Sequence, residues 1–147
     1  MGEMVDMPRK EVPPPLELVK SRIDEALPPE VRSSVESGAV ALVDTRDPDR
    51  FQRGRIPGAV NVPAGANGVD SHTPDFAARI SEAAGGKPAL LYCGTGSRSA
   101  RAADALTNEH GVARTRSLIG GITLWSDLGF PVEGSIEPEH DSEEATD

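Results

Sequence analysis

The chain holds a single cysteine in 147 residues, which excludes an internal disulfide and the Cys-rich ligand sets of structural zinc. Its histidines, His72, His110 and His140, are scattered without the spacing of a metal-binding motif. No metal site is read from them. No stretch approaches the roughly 18 apolar residues that a membrane span needs. Base is scarce as well: the formal charge is -9, and the clustered Lys and Arg that neutralise phosphates are missing. Nucleic acid and membrane are therefore not expected partners. Met1-Gly2-Glu3-Met4-Val5-Asp6 carries acid where a secretion signal carries base, and no apolar run follows it. A cytoplasmic location is the expectation.

What is present suits one domain with a true core: 37% of residues are hydrophobic and 27% charged. The charge is unevenly placed. Residues 135–147 carry -6 and leave -3 for the rest, so an acidic, solvated tail follows the domain. Residues 1–15, with Pro8, Pro13, Pro14 and Pro15, read as a flexible arm. The domain then spans residues 16–134. Leu16, Val19, Ile23 and Ala26 recur at helical spacing, which predicts a docking helix over residues 16–27. Pro28-Pro29-Glu30 opens a short helix that stops at Gly38.

Ala39-Val40-Ala41-Leu42-Val43-Asp44 and Ala89-Leu90-Leu91-Tyr92-Cys93 are continuous apolar runs, the pattern of strands covered on both faces. Weaker strands are expected near Ala59 to Val62 and Arg116 to Ile119. Thr73-Pro74-Asp75 combines an N-cap, a first-turn proline and an acid, and Gly85-Gly86 ends the helix it starts. Ala100 to about Gly111 is a further helix, and Gly120-Gly121 opens a last one bearing Trp125, which is read as core. Strands alternating with helices imply an α/β domain with a mainly parallel sheet.

A lone cysteine is either inert packing or chemistry. Cys93 ends a strand, where open parallel sheets bind ligands, and Gly94-Thr95-Gly96-Ser97-Arg98 follows it. Gly94 and Gly96 allow the loop amides to turn inward around one point. The next helix adds its positive end and Arg98 adds a charge, so a thiolate is favoured at Cys93. The same cradle could hold a persulfide or a small sulfur oxyanion.

Tyr92-Cys93-Gly94-Thr95-Gly96-Ser97-Arg98-Ser99, followed by Gly120-Gly121-Ile122 and Trp125, resembles the active-site half of the rhodaneses, the thiosulfate-type sulfurtransferases. Asp44-Thr45-Arg46-Asp47-Pro48 through Phe51, Gly54, Pro57-Gly58 and Asn61 resembles their upstream signature. The resemblance covers about residues 28–134. It implies a three-layer fold with a central five-stranded parallel sheet flanked by helices. It also implies Cys93 as a nucleophile cycling through a persulfide, Gly94 to Arg98 as the sulfur-binding loop, and Asp44, Arg46 and Ser99 as supporting residues. The expected donor is thiosulfate or a related sulfur anion, the acceptor is cyanide or an external thiol, and no cofactor or metal is required.

Two positions depart from the family pattern, Arg50 and Arg55, so Asp47 or Asp49 is a candidate partner for Arg46. Arg53 and Arg55 are either anion-attracting or merely solvated. Four residues separate Cys93 from Arg98, where related phosphatases generally use five, so sulfur transfer fits better than phosphate-ester hydrolysis. A non-enzymatic module marked at Cys93 is the alternative from another class.

Overall fold

The computed structural model describes residues 13–136. The acidic run from Glu137 and most of the proposed N-terminal arm lie outside the described residues. In chain order the elements are α1 (Leu16–Lys20), β1 (Asp24–Ala26), α2 (Pro28–Ser37), β2 (Ala41–Asp44), α3 (Pro48–Arg53), β3 (Gly54–Arg55) and β4 (Val60–Asn61). A 3-10 segment (Ala66–His72) leads into α4 (Pro74–Ala84), β5 (Ala89–Tyr92) and α5 (Ser97–Asp104). A π-helical turn (Ala105–Glu109), β6 (Thr115–Leu118), α6 (Gly121–Asp127) and β7 (Glu133–Gly134) complete the order.

Five strands pair in the order β1-β6-β5-β2-β4, and every pairing is parallel. Because side chains alternate along a strand, the central strands feed two cores. Leu42, Leu90 and Tyr92 join Val31, Ile122 and Trp125 on the face covered by α2 and α6. Val43 and Leu91 join Phe76, Ile80, Ala102 and Leu106 on the face covered by α4 and α5. This two-sided burial explains why β2 and β5 read as unbroken apolar runs. Trp125, 1% exposed, is core as expected, and its Nε1 donates to the Pro131 carbonyl at 2.8 Å.

Helix α4 forms where its start signal places it. The Thr73 hydroxyl accepts from the Phe76 amide at 3.1 Å, a cap that contributes about 1 kcal/mol. Phe76 and Ile80 then bury one face, each contributing roughly 1.5–3 kcal/mol.

The docking helix over residues 16–27 is corrected. Helix α1 ends at Lys20, and Asp24–Ala26 is the edge strand β1, paired with Arg116–Leu118. The turn between them is fixed from outside. The Arg22 guanidinium donates to both carboxylate oxygens of Asp104 at 2.8 Å. Pro28 also imposes an extended conformation on Leu27, with φ -80° and ψ 149°. Pairing to the free edge of β6 thus overrides a helical apolar period.

The topology selects one place for a site. The chain leaves β2 toward β4 on one side and leaves β5 toward β6 on the other. The carboxyl ends of β2 and β5 therefore border the switch point, the crevice where such sheets bind ligands. Asp44-Thr45-Arg46 and Cys93 lie at those two ends.

Candidate active site

Cys93 follows β5 directly, and its loop is drawn tight by the elements around it. The amides of Ile122 and Thr123, at the start of α6, donate to the carbonyls of Cys93 and Gly94, both at 3.0 Å. Such close approach requires Gly121. Its φ is +59°, and a Cβ there would collide with those two carbonyl oxygens. Gly96, at φ +114°, reverses the chain so that α5 begins with its amides facing the sulfur.

The Gly96 amide donates to Cys93 Sγ at 3.1 Å and the Ser99 amide at 3.3 Å. Ser99 Oγ lies 3.5 Å from the same sulfur. Amides and a helix N-terminus aimed at one sulfur favour its anionic form. Cys93 itself is fully buried, and Thr95 is the part-exposed residue between it and Ser99. The loop residues named from sequence are thus brought together. Gly96 and Ser99 grip the sulfur, Gly94 anchors the turn, Thr95 faces outward, and Ser97 and Arg98 open the helix.

Arg98 is buried, and its Nη1 reaches Asp47 Oδ1 at 3.3 Å. This contact answers a question left by the sequence. Arg46 takes neither Asp47 nor Asp49 as its acid; it pairs with Asp44, Nη2 to Oδ2 at 2.7 Å, with both side chains buried. Arg46 Nε and its backbone amide also donate to Asp44, and Nη2 donates to the Gly54 carbonyl at 2.6 Å. The turn after β2 folds Arg46 back onto Asp44, two residues earlier, rather than onto the adjacent Asp47. Asp47 precedes α3 at its N-cap position, yet its carboxylate makes no cap there. It is turned across the crevice to Arg98.

The rest of the upstream block fastens this turn. Asn61 Nδ2 donates to the carbonyls of Asp44 and Arg46 at 2.9 and 3.0 Å, and the Thr45 hydroxyl donates to the Tyr92 carbonyl at 2.9 Å. Arg53 pairs with Asp49 at 3.1 Å and Arg55 with Glu133 at 3.3 Å. Their charges are engaged at the α3 and β7 side. Among the described residues no three His, Cys, Asp or Glu side chains gather where they could hold a metal ion, and no helix is long and apolar enough to cross a membrane. A concavity of about 700 Å³ lies at the amino ends of β2 and β5, lined by Val35, Val40, Val60 and Lys87, and includes no residue of the cysteine loop.

The family model for the rhodanese-like domain matches residues 27–128. The chain belongs to that family. Among curated proteins it is 29% identical over 118 residues to the chloroplastic thiosulfate sulfurtransferase 16 of Arabidopsis thaliana, covering 78% of this chain and 97% of the relative. It is 34% identical over 100 residues to the thiosulfate sulfurtransferase GlpE of Stutzerimonas stutzeri, covering 67% of this chain and 82% of the relative. A solved structure from Rhodopseudomonas palustris, described as a protein of unknown function and possible tyrosine phosphatase, is 30% identical. It superposes with a TM-score of 0.66 over 80% of this chain and 90% of that one. The five-stranded sheet expected from the resemblance is the fold found.

In this rhodanese-like domain the residue before the cysteine is a buried phenol. Burial pushes Tyr92 well above its ordinary value of 10.0, and the Asp44 charge pushes it further, while the Ile56 amide that donates to its hydroxyl works the other way. The sign follows directly. Below about pH 10 the phenol is neutral in both folded and unfolded chains. Above that, the unfolded chain ionises and the folded one does not, so stability falls as pH climbs toward the folded-state value. Tyr92 is the sole tyrosine in the chain, so tyrosinate absorbance reports on it alone. The expected alkaline titration shows no step near pH 10 while the protein is folded, and tyrosinate emerges together with unfolding. An ordinary step in intact protein would contradict the buried Tyr92 network.

Proposed function

We propose that the protein is a sulfurtransferase carrying sulfane sulfur on Cys93 from a small sulfur anion such as thiosulfate to cyanide or an external thiol. The observation that carries this reading is the pair of amides, from Gly96 and Ser99, converging on Cys93 Sγ at the switch point. The Cys93 thiolate attacks the outer sulfur of thiosulfate and forms a sulfur–sulfur bond. The donor's own sulfur–sulfur bond breaks, and its electron pair leaves with sulfite. Cyanide then attacks the outer sulfur of the persulfide. That bond breaks, thiocyanate departs, and the pair returns to Cys93 as thiolate. Charge and sulfur balance at each step without an added oxidant or reductant.

The amides stabilise the anionic sulfur in both halves of the cycle. With one cysteine in the chain, no internal thiol resolves the persulfide, so the acceptor comes from outside. A cytoplasmic setting suits this role, because acceptor thiols are kept reduced there.

The similarity to the Rhodopseudomonas palustris structure gives phosphate-ester hydrolysis as a second reading. The four-residue interval between Cys93 and Arg98 supports sulfur transfer instead. Steady-state assays separate the two. Thiosulfate and cyanide are expected to give parallel double-reciprocal lines, the signature of a covalent relay, with no turnover of an aryl phosphate. Steady release of phosphate without thiocyanate would overturn the reading.

A further inference from the structure

We propose that Ser117 is a positioning residue that favours the thiolate of Cys93 by acting through Ser99; this rests on the reading of Cys93 as the nucleophile. Ser117 lies on β6, in register with Leu91, two residues before the cysteine. It is fully buried, as is Ser99. A hydroxyl there, beside Leu91 and under α5, is unexpected unless it has a partner. The partner is Ser99: the two Oγ atoms are 2.9 Å apart. Ser99 Oγ is in turn 3.5 Å from Cys93 Sγ and 3.4 Å from the Gly96 carbonyl oxygen.

Counting protons shows when Ser117 matters. A serine hydroxyl offers one proton and two acceptor sites. With Cys93 as a thiol, the S–H donates to Ser99 Oγ, and the Ser99 proton is directed to the Gly96 carbonyl. Ionisation removes the S–H and turns the Ser99 proton toward the sulfur. The oxygen of Ser99 then has Ser117 as its donor, and that donation polarises the Ser99 hydroxyl toward the anion. Hydrogen bonds to an ionised acceptor are about twice as strong as neutral ones. Ser117 therefore stabilises the thiolate more than the thiol, without touching the sulfur or a substrate.

The test is the pH dependence of Cys93 alkylation by iodoacetamide in the full chain, read by intact mass with no sulfur donor present. Ser117→Ala is expected to move the alkylation midpoint upward by about half to one pH unit, slowing reaction at pH 7 by roughly threefold to tenfold. Thr115→Val is the control. Thr115 is buried on the same face of β6, and its hydroxyl is directed to the Val112 carbonyl at 3.5 Å, away from Ser99. Its midpoint is expected to match the wild type. An unchanged midpoint in Ser117→Ala, or an equal shift in Thr115→Val, would overturn the proposal. Because no donor is used, the outcome is separate from that of sulfur transfer. A wild type that never forms a persulfide would sink the transfer reading and leave the Ser117 effect standing.

Discussion

Cys93→Ser is expected to lower thiosulfate-to-cyanide turnover on the order of 10⁴-fold or more, to the level of the uncatalysed reaction. The size of this effect follows from the chemistry. Serine keeps the shape of the loop and can still receive the Gly96 and Ser99 amides. Its hydroxyl has no accessible anion near neutral pH, however, and oxygen cannot hold the transferred sulfur as a persulfide. No other thiol in the chain can substitute. Substantial residual transfer by this variant, measured as thiocyanate released, would place the chemistry elsewhere in the protein.

Asp44→Ala is expected to give the largest loss of stability. The Asp44–Arg46 pair is buried on both sides, and removing the acid takes away the carboxylate that accepts from the Arg46 Nε and Nη2 in the interior. Breaking such a pair from one side costs about 3–5 kcal/mol, a large share of the roughly 5–15 kcal/mol that holds a domain together. Thermal unfolding should shift downward by on the order of 10 °C. Arg46→Ala should cost a similar amount, and the double variant less than the two single costs added together, because both substitutions remove the same buried interaction. Simple additivity would show that the pair acts as two independent residues.

The two parts of the molecule were legible to different degrees, and the reason is locality. Strands β2 and β5 announce themselves because both of their faces are covered, and α4 because Thr73, Pro74 and Asp75 carry its start. Strand β1 does not. Asp24 and Glu25 lack strand character, and only the open edge of β6 makes them one. Helix α3 was readable in retrospect, since Asp47-Pro48-Asp49 repeats the start pattern of α4. Its capping side chain is instead spent on Arg98, 51 residues away in sequence.

The cysteine loop was legible because its geometry depends on neighbours in the chain, Gly96 and Ser99 among them. The partners that complete the site were not. Ser117 is 18 residues from Ser99, and nothing in Thr115-Arg116-Ser117-Leu118 marks one hydroxyl as the partner of Ser99. The choice of Asp44 over Asp47 by Arg46 likewise depends on how sharply the chain turns after β2.

The central claim is that Cys93 carries sulfur and gives it up. Intact-mass measurement of the wild type and Cys93→Ser after thiosulfate exposure, repeated after adding cyanide, tests it directly. The wild type should gain about 32 Da, one sulfur atom at Cys93, and lose it on addition of cyanide with release of one equivalent of thiocyanate, while Cys93→Ser gains nothing. A wild type that stays unmodified, or that takes up sulfur and never discharges it, would contradict the account; the second result would mark Cys93 as a modified site on a binding module.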